Sequence, residues 1–223
     1  MKNTLKKIRK FTGILFFEYI LEEKLFYSIL RRYVNETDKV IELGAGVSSH
    51  IRIIYKDIDI TAIDNHNASI TKAIEKNIYT NYIEGDVLKL NDILEANSYD
   101  VVVAFDLIEH LDKNQGEQLI QLMKNVARKR IIIYTPNGFL PQPAYDNNLF
   151  QEHISGWSYN EMRNKGFKIF GINGLKQLSG MYSLPIIRPI VLGIFIRNIS
   201  WLILKLLKLE KYSFAIMCIK ETK

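Results

Sequence analysis

A glycine-rich turn after a short apolar run is the first candidate for chemistry in this 223-residue chain. The run Val40-Ile-Glu-Leu-Gly-Ala-Gly46 begins with β-branched and apolar residues, which predict a buried strand. Gly44 and Gly46 then predict a tight turn that a ligand can approach closely, and Ser49 can cap a helix that starts near His50. A strand, a glycine turn and a helix start are typical of a nucleotide-binding element.

Asp64 is the second candidate, because it ends another apolar strand at Thr61-Ala-Ile-Asp64. A nucleoside-binding βαβ unit places a carboxylate about 20 residues after its first glycine, where it accepts hydrogen bonds from the ribose hydroxyls. Gly44 and Gly46 alone are also compatible with an ordinary loop turn, and Asp64 argues against that alternative. Ser49 stands where a dinucleotide-binding turn has its third glycine, which disfavours NAD.

Acidic residues complete the pattern, with Glu42 before the glycines and Asp86 after a third strand. Together with Asp64 they resemble the class I S-adenosylmethionine-dependent methyltransferases, in particular the ubiquinone-type and small-molecule branch. The resemblance implies S-adenosylmethionine as cofactor, with its methionine part near the glycine turn, its ribose at Asp64 and its adenine amino group at Asp86. The residues expected at the cofactor are Glu42, Gly44, Ala45, Gly46, Asp64, Asn65, Asp86, Val87, Phe105 and Asp106.

His110 and His153 are the candidates for catalysis. The segment Asp106–Leu111 resembles the loop after the fourth strand in ubiquinone-type O-methyltransferases, and the segment beginning at His153 resembles small methyltransferases of envelope and lipid-linked pathways. An imidazole can accept a hydroxyl proton near neutral pH, so either histidine could be a general base. The alternative for each is a histidine that pins a loop by bonding to a backbone carbonyl. Glu109 has the same status as His110, with less support.

No metal site is predicted. The four histidines show no HxxxH or HxH spacing, and the single cysteine, Cys218, has no metal-ligand companions. One cysteine also fits a reducing, cytoplasmic setting.

The net charge of +6 at pH 7 is compatible with a nucleic-acid or membrane partner. The positive charge concentrates in the first ten residues, at 128–130 and in the last forty or so. Because no basic patch alternates with aromatic residues, no nucleic-acid partner is predicted. The basic start is followed by an apolar run as in a signal peptide, but Glu18 interrupts that run and no small-residue cleavage site follows, so no export is predicted.

Alternating strand and helix patterns predict an α/β fold. We expect a doubly wound, seven-stranded, mainly parallel sheet of the Rossmann-like methyltransferase type, with the last strand antiparallel. The expected organisation is an N-terminal helical cap over 1–33 and a cofactor-binding core over 34–174. An apolar, basic helical insertion over 175–211 and a closing strand over 212–223 follow.

The insertion contains an apolar stretch, 185–208, that raises the question of membranes. Arg188, Pro189 and Arg197 interrupt it well short of the roughly 20 apolar residues that a bilayer span needs. On a helix, Arg197, Trp201, Lys205 and Lys208 share one stripe beside a wide apolar face, which is typical of a helix lying in a membrane interface. The alternative is a helix buried on the domain or in a dimer contact.

These features predict methyl transfer from S-adenosylmethionine to a hydroxyl or carboxyl of a small, apolar or lipid-linked envelope metabolite. The expected location is cytoplasmic, at the inner face of the membrane as a peripheral protein, and the oligomeric state is left open. One alternative is an NAD-dependent oxidoreductase, which Ser49 and the lack of a Tyr-x-x-x-Lys pair disfavour. The other is a membrane-surface binding protein that keeps the fold without chemistry.

Overall fold

The computed structural model describes residues 26–144, 149–180 and 183–222. Most of the predicted N-terminal cap, residues 1–25, therefore lies outside the described residues. Residues 26–33 are helical and are named α1 here.

Seven strands and six further helices follow in alternation. The strands are β1 (Val40–Leu43), β2 (Ile60–Asp64), β3 (Asn81–Glu84), β4 (Tyr99–Phe105), β5 (Ala127–Pro136), β6 (Lys168–Leu175) and β7 (Ser213–Glu221). The helices are α2 (His50–Ile54), α3 (Asn67–Glu75), α4 (Leu90–Ile93), α5 (Lys113–Val126), α6 (Tyr159–Asn164) and α7 (Ile190–Leu206).

The strands form one sheet in the order β3-β2-β1-β4-β5-β7-β6. β1 to β5 pair in parallel, whereas β7 runs antiparallel to both β5 and β6. This confirms the predicted seven-stranded, mainly parallel sheet. The chain order reverses between β1 and β4, and an open α/β sheet binds ligands at the carboxyl ends of the strands on either side of such a reversal.

Side chains from the two faces of the sheet enter two separate hydrophobic clusters. In β1 and β4, Val40 and Val101 face the cluster that includes α1, while Ile41 and Val102 face the cluster that includes α5. This period-two alternation with both faces covered explains why the strands are apolar throughout.

Element boundaries differ most from expectation at β5. The sequence predicts a strand over Arg130–Tyr134, but β5 extends from Ala127 to Pro136 because it pairs with β4 on one side and with β7 on the other. The short helix α4 was not predicted.

Helix α7 packs against β6 with the side that carries Arg197 and Trp201, which are only 7% and 5% exposed. Arg197 Nη1 donates to the Ser183 carbonyl (2.7 Å) and Trp201 Nε1 donates to the Gly171 carbonyl (2.6 Å). The predicted stripe is therefore divided: these two residues lie inside, where backbone carbonyls satisfy their polar groups, while Lys205 and Lys208 are exposed.

The side of α7 that faces away from the domain is apolar instead. Its exposed members follow helical spacing and are Leu192, Phe195, Ile199, Leu202, Ile203 and Leu206. Exposed Arg188 precedes the helix, and exposed Lys205 and Lys208 lie at its C-terminal end. Within the described residues, no helix combines the length and apolar character that a membrane span requires.

Candidate functional site

The glycine turn after β1 adopts the left-handed backbone that the sequence predicts. Gly44 and Gly46 have φ of 62° and 57°. A Cβ on Gly44 would lie 2.7 Å from a Leu107 side-chain carbon, whereas a Cβ on Gly46 would meet nothing within 4 Å. Gly44 thus lets the β4 loop pack closely, and Gly46 leaves backbone open to the space above the sheet.

Asp64 ties this turn to the end of β2. Its carboxylate accepts the Gly46 N–H at Oδ2 (3.0 Å) and the His66 N–H at Oδ1 (2.8 Å). A carboxylate offers about four lone-pair sites, so both oxygens retain capacity for further donors. The residue that the sequence assigned to the ribose therefore also helps to hold the glycine turn, together with the Gly44 and Ala45 N–H groups that donate to the Ile63 carbonyl.

Glu42 lies behind the turn. It is 3% exposed and accepts a hydrogen bond from Ser49 Oγ at 2.6 Å, while Ser49 also caps α2 by accepting from Arg52 N–H. Burial raises the pKa of Glu42 to about 8, and the Ser49 hydrogen bond opposes that rise. The Tyr79 hydroxyl donates to the Ala45 carbonyl at 2.8 Å, which fixes the turn from the same side.

Glu42 should make the unliganded protein less stable as the pH rises. Its folded pKa lies above the ordinary value of 4.5, so between about pH 4.5 and 8 the folded state holds a proton that the unfolded state has released. Relative to Glu42→Gln, which keeps an oxygen for Ser49, the wild-type free energy of unfolding should fall through that window by up to about 1.4 kcal/mol per pH unit.

Urea denaturation of both proteins at pH 5, 6.5 and 8, without cofactor, measures this difference. Other titrating groups contribute equally to the two proteins and cancel. Parallel pH profiles would show that Glu42 keeps an ordinary pKa in the folded state.

Asp86 stands at the carboxyl end of the third strand. Its Oδ1 accepts the Leu88 N–H at 2.9 Å and so caps the short helical turn over Val87–Lys89. Asp86 and Val87 face the same space as Gly46 and Asp64.

The end of β4 brings two carboxyl groups together. Asp106 has a φ of 46°, an uncommon conformation for a residue with a side chain, and its carboxyl lies beside that of Glu109. Glu109 is 1% exposed and accepts from Thr135 Oγ1 at 3.0 Å. Burial raises the pKa of Glu109 well above its usual range, and the neighbouring charge of Asp106 acts in the same direction.

His110 and His153 lie side by side, with ring centroids 4.8 Å apart. His110 Nδ1 is 2.9 Å from the Glu152 carbonyl, and His153 Nδ1 is 2.8 Å from the Leu140 carbonyl. Burial lowers the pKa of both imidazoles, and the carbonyl contacts oppose that lowering. Both histidines thus pin loops through Nδ1 as the alternative predicts, and the main chain of Asp106 also favours the charged form of His110.

A cavity of about 480 Å³ joins these groups, and small-molecule sites in proteins are commonly of this size. Eight of the predicted residues line it: Gly44, Gly46, Asp64, Asn65, Asp86, Val87, Asp106 and His110. Leu88, next to Val87, lines it as well. His153 is not in the lining but contacts His110 from behind.

Three predicted cofactor residues, Glu42, Ala45 and Phe105, do not line the cavity. Glu42 and Ala45 lie beneath the glycine turn, where Ser49 and Tyr79 hold them. Phe105 faces the other side of the sheet and packs against His50, with ring centroids 5.3 Å apart. Successive side chains along a strand point to opposite faces of the sheet, so Phe105 and the next residue, Asp106, face opposite ways, and Asp106 faces the cavity.

Other residues complete the cavity without having been predicted. On the β2 side these are His66 and Ser69, whose side chains are bonded to each other at 2.8 Å. The remaining ones follow β4 or belong to the loop after β5: Leu107, Leu111, Gln115, Phe150, Gln151, Glu152 and Ile154. That irregular loop was expected over this edge of the sheet, but nothing in its sequence shows which side chains face inward.

The folded chain also brings Glu109, His110 and His153 together. One potential ligand atom from each lies within 4.8 Å of the others. The spacing argument against a metal site therefore does not apply to the folded chain.

Comparisons with known proteins agree with this arrangement. A sequence model described as a methyltransferase domain matches residues 40–130, from β1 into β5. No curated protein matches the sequence.

Solved structures share the fold at low sequence identity. Magnesium protoporphyrin IX methyltransferase from Synechocystis PCC 6803, with bound S-adenosylmethionine, is 16% identical with a TM-score of 0.52, covering 92% of this chain and 79% of that one. A SAM-dependent methyltransferase from Archaeoglobus fulgidus is 19% identical with a TM-score of 0.52, covering 93% and 98%. Coclaurine N-methyltransferase, bound to N-methylheliamine and SAH, is 14% identical with a TM-score of 0.56, covering 89% and 72%.

The domain match spans the glycine turn, Asp64, Asp86 and the end of β4. It sets aside both the NAD-dependent oxidoreductase and the non-catalytic binding protein, while the ubiquinone-type branch stays a prediction. Residues 40–130 are therefore a methyltransferase domain whose cofactor is S-adenosylmethionine, and the chain shares the fold of S-adenosylmethionine-dependent methyltransferases.

Proposed function

We propose that this enzyme methylates a hydroxyl or carboxyl oxygen of a small apolar or lipid-linked molecule at the cytoplasmic surface of a membrane. The observation that carries the acceptor chemistry is the pair of neutral imidazoles, His110 and His153, at one end of the cavity. The apolar exposed side of α7 supports the membrane location.

The residues at the other end of the cavity fit the cofactor. Gly46 leaves open space where a side chain would otherwise stand, and the Asp64 carboxylate has lone pairs left for a ribose diol. Asp86, Val87 and Asp106 line the same cavity, which supports contact of the first two with the adenine and of Asp106 with the methionine part. Glu42 and Phe105 act by holding the turn and the strand end rather than by touching the cofactor.

When bound, S-adenosylmethionine supplies a methyl group on a positively charged sulfur. The protein must hold the acceptor oxygen in line with that group and dispose of the proton that a hydroxyl carries. His110, which lines the cavity, can do the second task in the tautomer in which Nδ1 donates to the Glu152 carbonyl and Nε2 carries no proton. His153, bonded in the same way to the Leu140 carbonyl, would support it through the contact between the two rings. A carboxylate acceptor would need only the positioning.

The mouth of the cavity favours an apolar acceptor. Phe150 and Ile154 are 61% and 53% exposed and belong to its lining together with Leu111. Apolar side chains that stay partly exposed around a polar site can be covered by an acyl or isoprenoid chain, which removes their surface from water.

The acceptor class can be tested with methyl-labelled S-adenosylmethionine and a membrane extract. We expect label in the organic-solvent phase, released by mild alkali if the product is a methyl ester and stable if it is an ether. Label found only in water-soluble amines would refute the oxygen acceptor, and equal labelling of a lipid-free extract would refute the lipid-linked one.

The exposed side of α7 should bind vesicles that contain anionic lipid. Leu202 and Leu206 are 56% and 72% exposed, so each still has about 1 kcal/mol of burial to gain, and Lys205 and Lys208 favour a negative surface. Replacing both leucines by Glu should weaken co-sedimentation with such vesicles roughly 30-fold or more.

A matched double variant serves as control. Ile53→Glu with Ile74→Glu adds the same charge at exposed isoleucines of α2 and α3 and should leave vesicle binding within about threefold, an effect of surface charge alone. If both double variants lose vesicle binding equally, the loss comes from the change in net charge and not from the apolar side of α7. A dimer that dissociates in the α7 variant, without vesicle binding by the wild type, would instead assign this side to a second copy of the chain.

A further inference from the structure

The cluster of Glu109, His110 and His153 contains more than a general base needs. Glu109 and His110 are neighbours at the end of β4, and His153 comes from the loop after β5. The loop is held there by main-chain bonds, since the N–H groups of Ile154 and Ser155 both donate to the Glu109 carbonyl. Three potential ligand atoms thereby come within 4.8 Å of one another.

The two imidazoles are fixed in one tautomer. A backbone carbonyl can only accept, so Nδ1 of each ring must carry the proton in its contact with Glu152 or Leu140. The lone pair then stays on Nε2. Metal-ligating histidines in proteins commonly have this arrangement, in which the second ring nitrogen donates to a carbonyl and orients the ring.

One carboxylate oxygen of Glu109 accepts no hydrogen bond from any residue that the structure describes. Its Oε2 is bonded to Thr135, but no amide, hydroxyl or amino group in the described parts of the chain donates to Oε1, which is fully buried. Its remaining polar neighbour is the carboxyl of Asp106. A buried carboxylate oxygen beside a second carboxyl calls for either a shared proton or a cation.

We propose that Glu109, His110 and His153 bind a divalent transition-metal ion of the zinc, manganese or iron class. Two imidazoles and one carboxylate suit these ions, whereas magnesium and calcium prefer oxygen ligands alone. Ligands about 2.1 Å from one ion stand roughly 3 to 3.5 Å apart, so ligand atoms that are 4.8 Å apart must approach each other by about 1.3 to 1.8 Å.

Three protein ligands leave coordination positions open. Because His110 lines the cavity, an ion on its ring would face the acceptor end. The role of the ion rests on the oxygen acceptor of the proposed function and replaces the general base there, because an Nε2 that holds an ion no longer accepts a proton. An open position of the ion would then take the acceptor oxygen. Metal binding itself depends on neither the acceptor nor the cofactor.

The direct test is titration of chelator-treated protein with Co²⁺, followed by visible absorption, and with Zn²⁺ by calorimetry. We expect one ion per chain. His153→Ala and Glu109→Gln should each weaken binding by at least 10- to 100-fold, since even residues behind a ligand contribute about that much. His66→Asn removes a histidine outside the cluster and should leave the metal affinity unchanged.

Wild-type protein gives an answer that does not depend on any variant folding. Pulsed electron paramagnetic resonance of the Cu²⁺ complex should count two imidazoles bound to the ion. Fewer than two, or Co²⁺ binding that survives both cluster variants, would overturn the metal site. Methyl transfer that continues in metal-free protein would overturn the role of the ion while leaving the proposed methyltransferase activity intact.

Discussion

Asp64→Ala should reduce the affinity for S-adenosylmethionine by on the order of 100-fold or more. The substitution removes a charged carboxylate, and each hydrogen bond to a charged group is worth roughly 1.5–3 kcal/mol. It also releases the Gly46 and His66 N–H groups that now donate to the carboxylate, so the glycine turn keeps only its main-chain bonds from Gly44 and Ala45 to β2. Loss of a ligand contact and loss of the shape of the turn should therefore add.

Calorimetric titration with S-adenosylmethionine and with S-adenosylhomocysteine measures this effect, since both carry the same ribose. Asp59→Ala is the matched control: Asp59 is an exposed aspartate just before the opposite end of β2. It should bind both ligands as the wild type does. Equal affinities for the Asp64 and Asp59 variants would remove Asp64 from the cofactor site.

His110→Asn should lower the turnover of methyl transfer by roughly 10²- to 10⁴-fold, the range that proton transfer by a positioned side chain commonly contributes. The amide nitrogen of Asn can replace Nδ1 as donor to the Glu152 carbonyl, so the loop contact is kept while Nε2 is lost. His110→Gln does the reverse, because its longer amide reaches toward the position of Nε2. Comparison of the two separates the chemical role from the loop-pinning role.

Single-turnover assays with the labelled acceptor fraction, together with calorimetric cofactor titration, provide the measurement. The affinity for S-adenosylmethionine should stay within about twofold, since the histidines contact the acceptor end. Gln121→Ala, at an exposed position of α5, serves as surface control. Wild-type turnover in His110→Asn would show that His110 only pins the loop. Substituting His153 by Asn and by Gln tests its contact with the Leu140 carbonyl in the same way.

The cofactor end of the site was predictable because its determinants are local. Gly44, Gly46 and Ser49 act within one turn, and Asp64 follows at the distance that one βαβ unit imposes. The inward or outward direction of a side chain is not local in the same way. Glu42 and Phe105 belong to the right strand ends, yet burial beneath the turn and strand alternation take them away from the cavity.

The acceptor end was less predictable because it depends on contacts between distant segments. His153 reaches His110 only after the loop that follows β5 has bonded to the Glu109 carbonyl. The inner side of α7 was not predictable for a related reason. Periodicity shows that the helix has two unlike sides, but the choice of the inner one depends on the Gly171 and Ser183 carbonyls that meet Trp201 and Arg197.

The loop that carries His153 is attached to the end of β4 largely through main-chain groups. Its N–H groups at 154 and 155 donate to the carbonyl of Glu109, its carbonyl at 152 accepts from His110, and Trp157 donates to the carbonyl of Ile108. Because main-chain groups are the same whatever side chains surround them, Phe150, Gln151 and Ile154 can be exchanged without shifting the histidines. The acceptor pocket can therefore be given a new substrate specificity by mutating this loop while its catalytic geometry is retained.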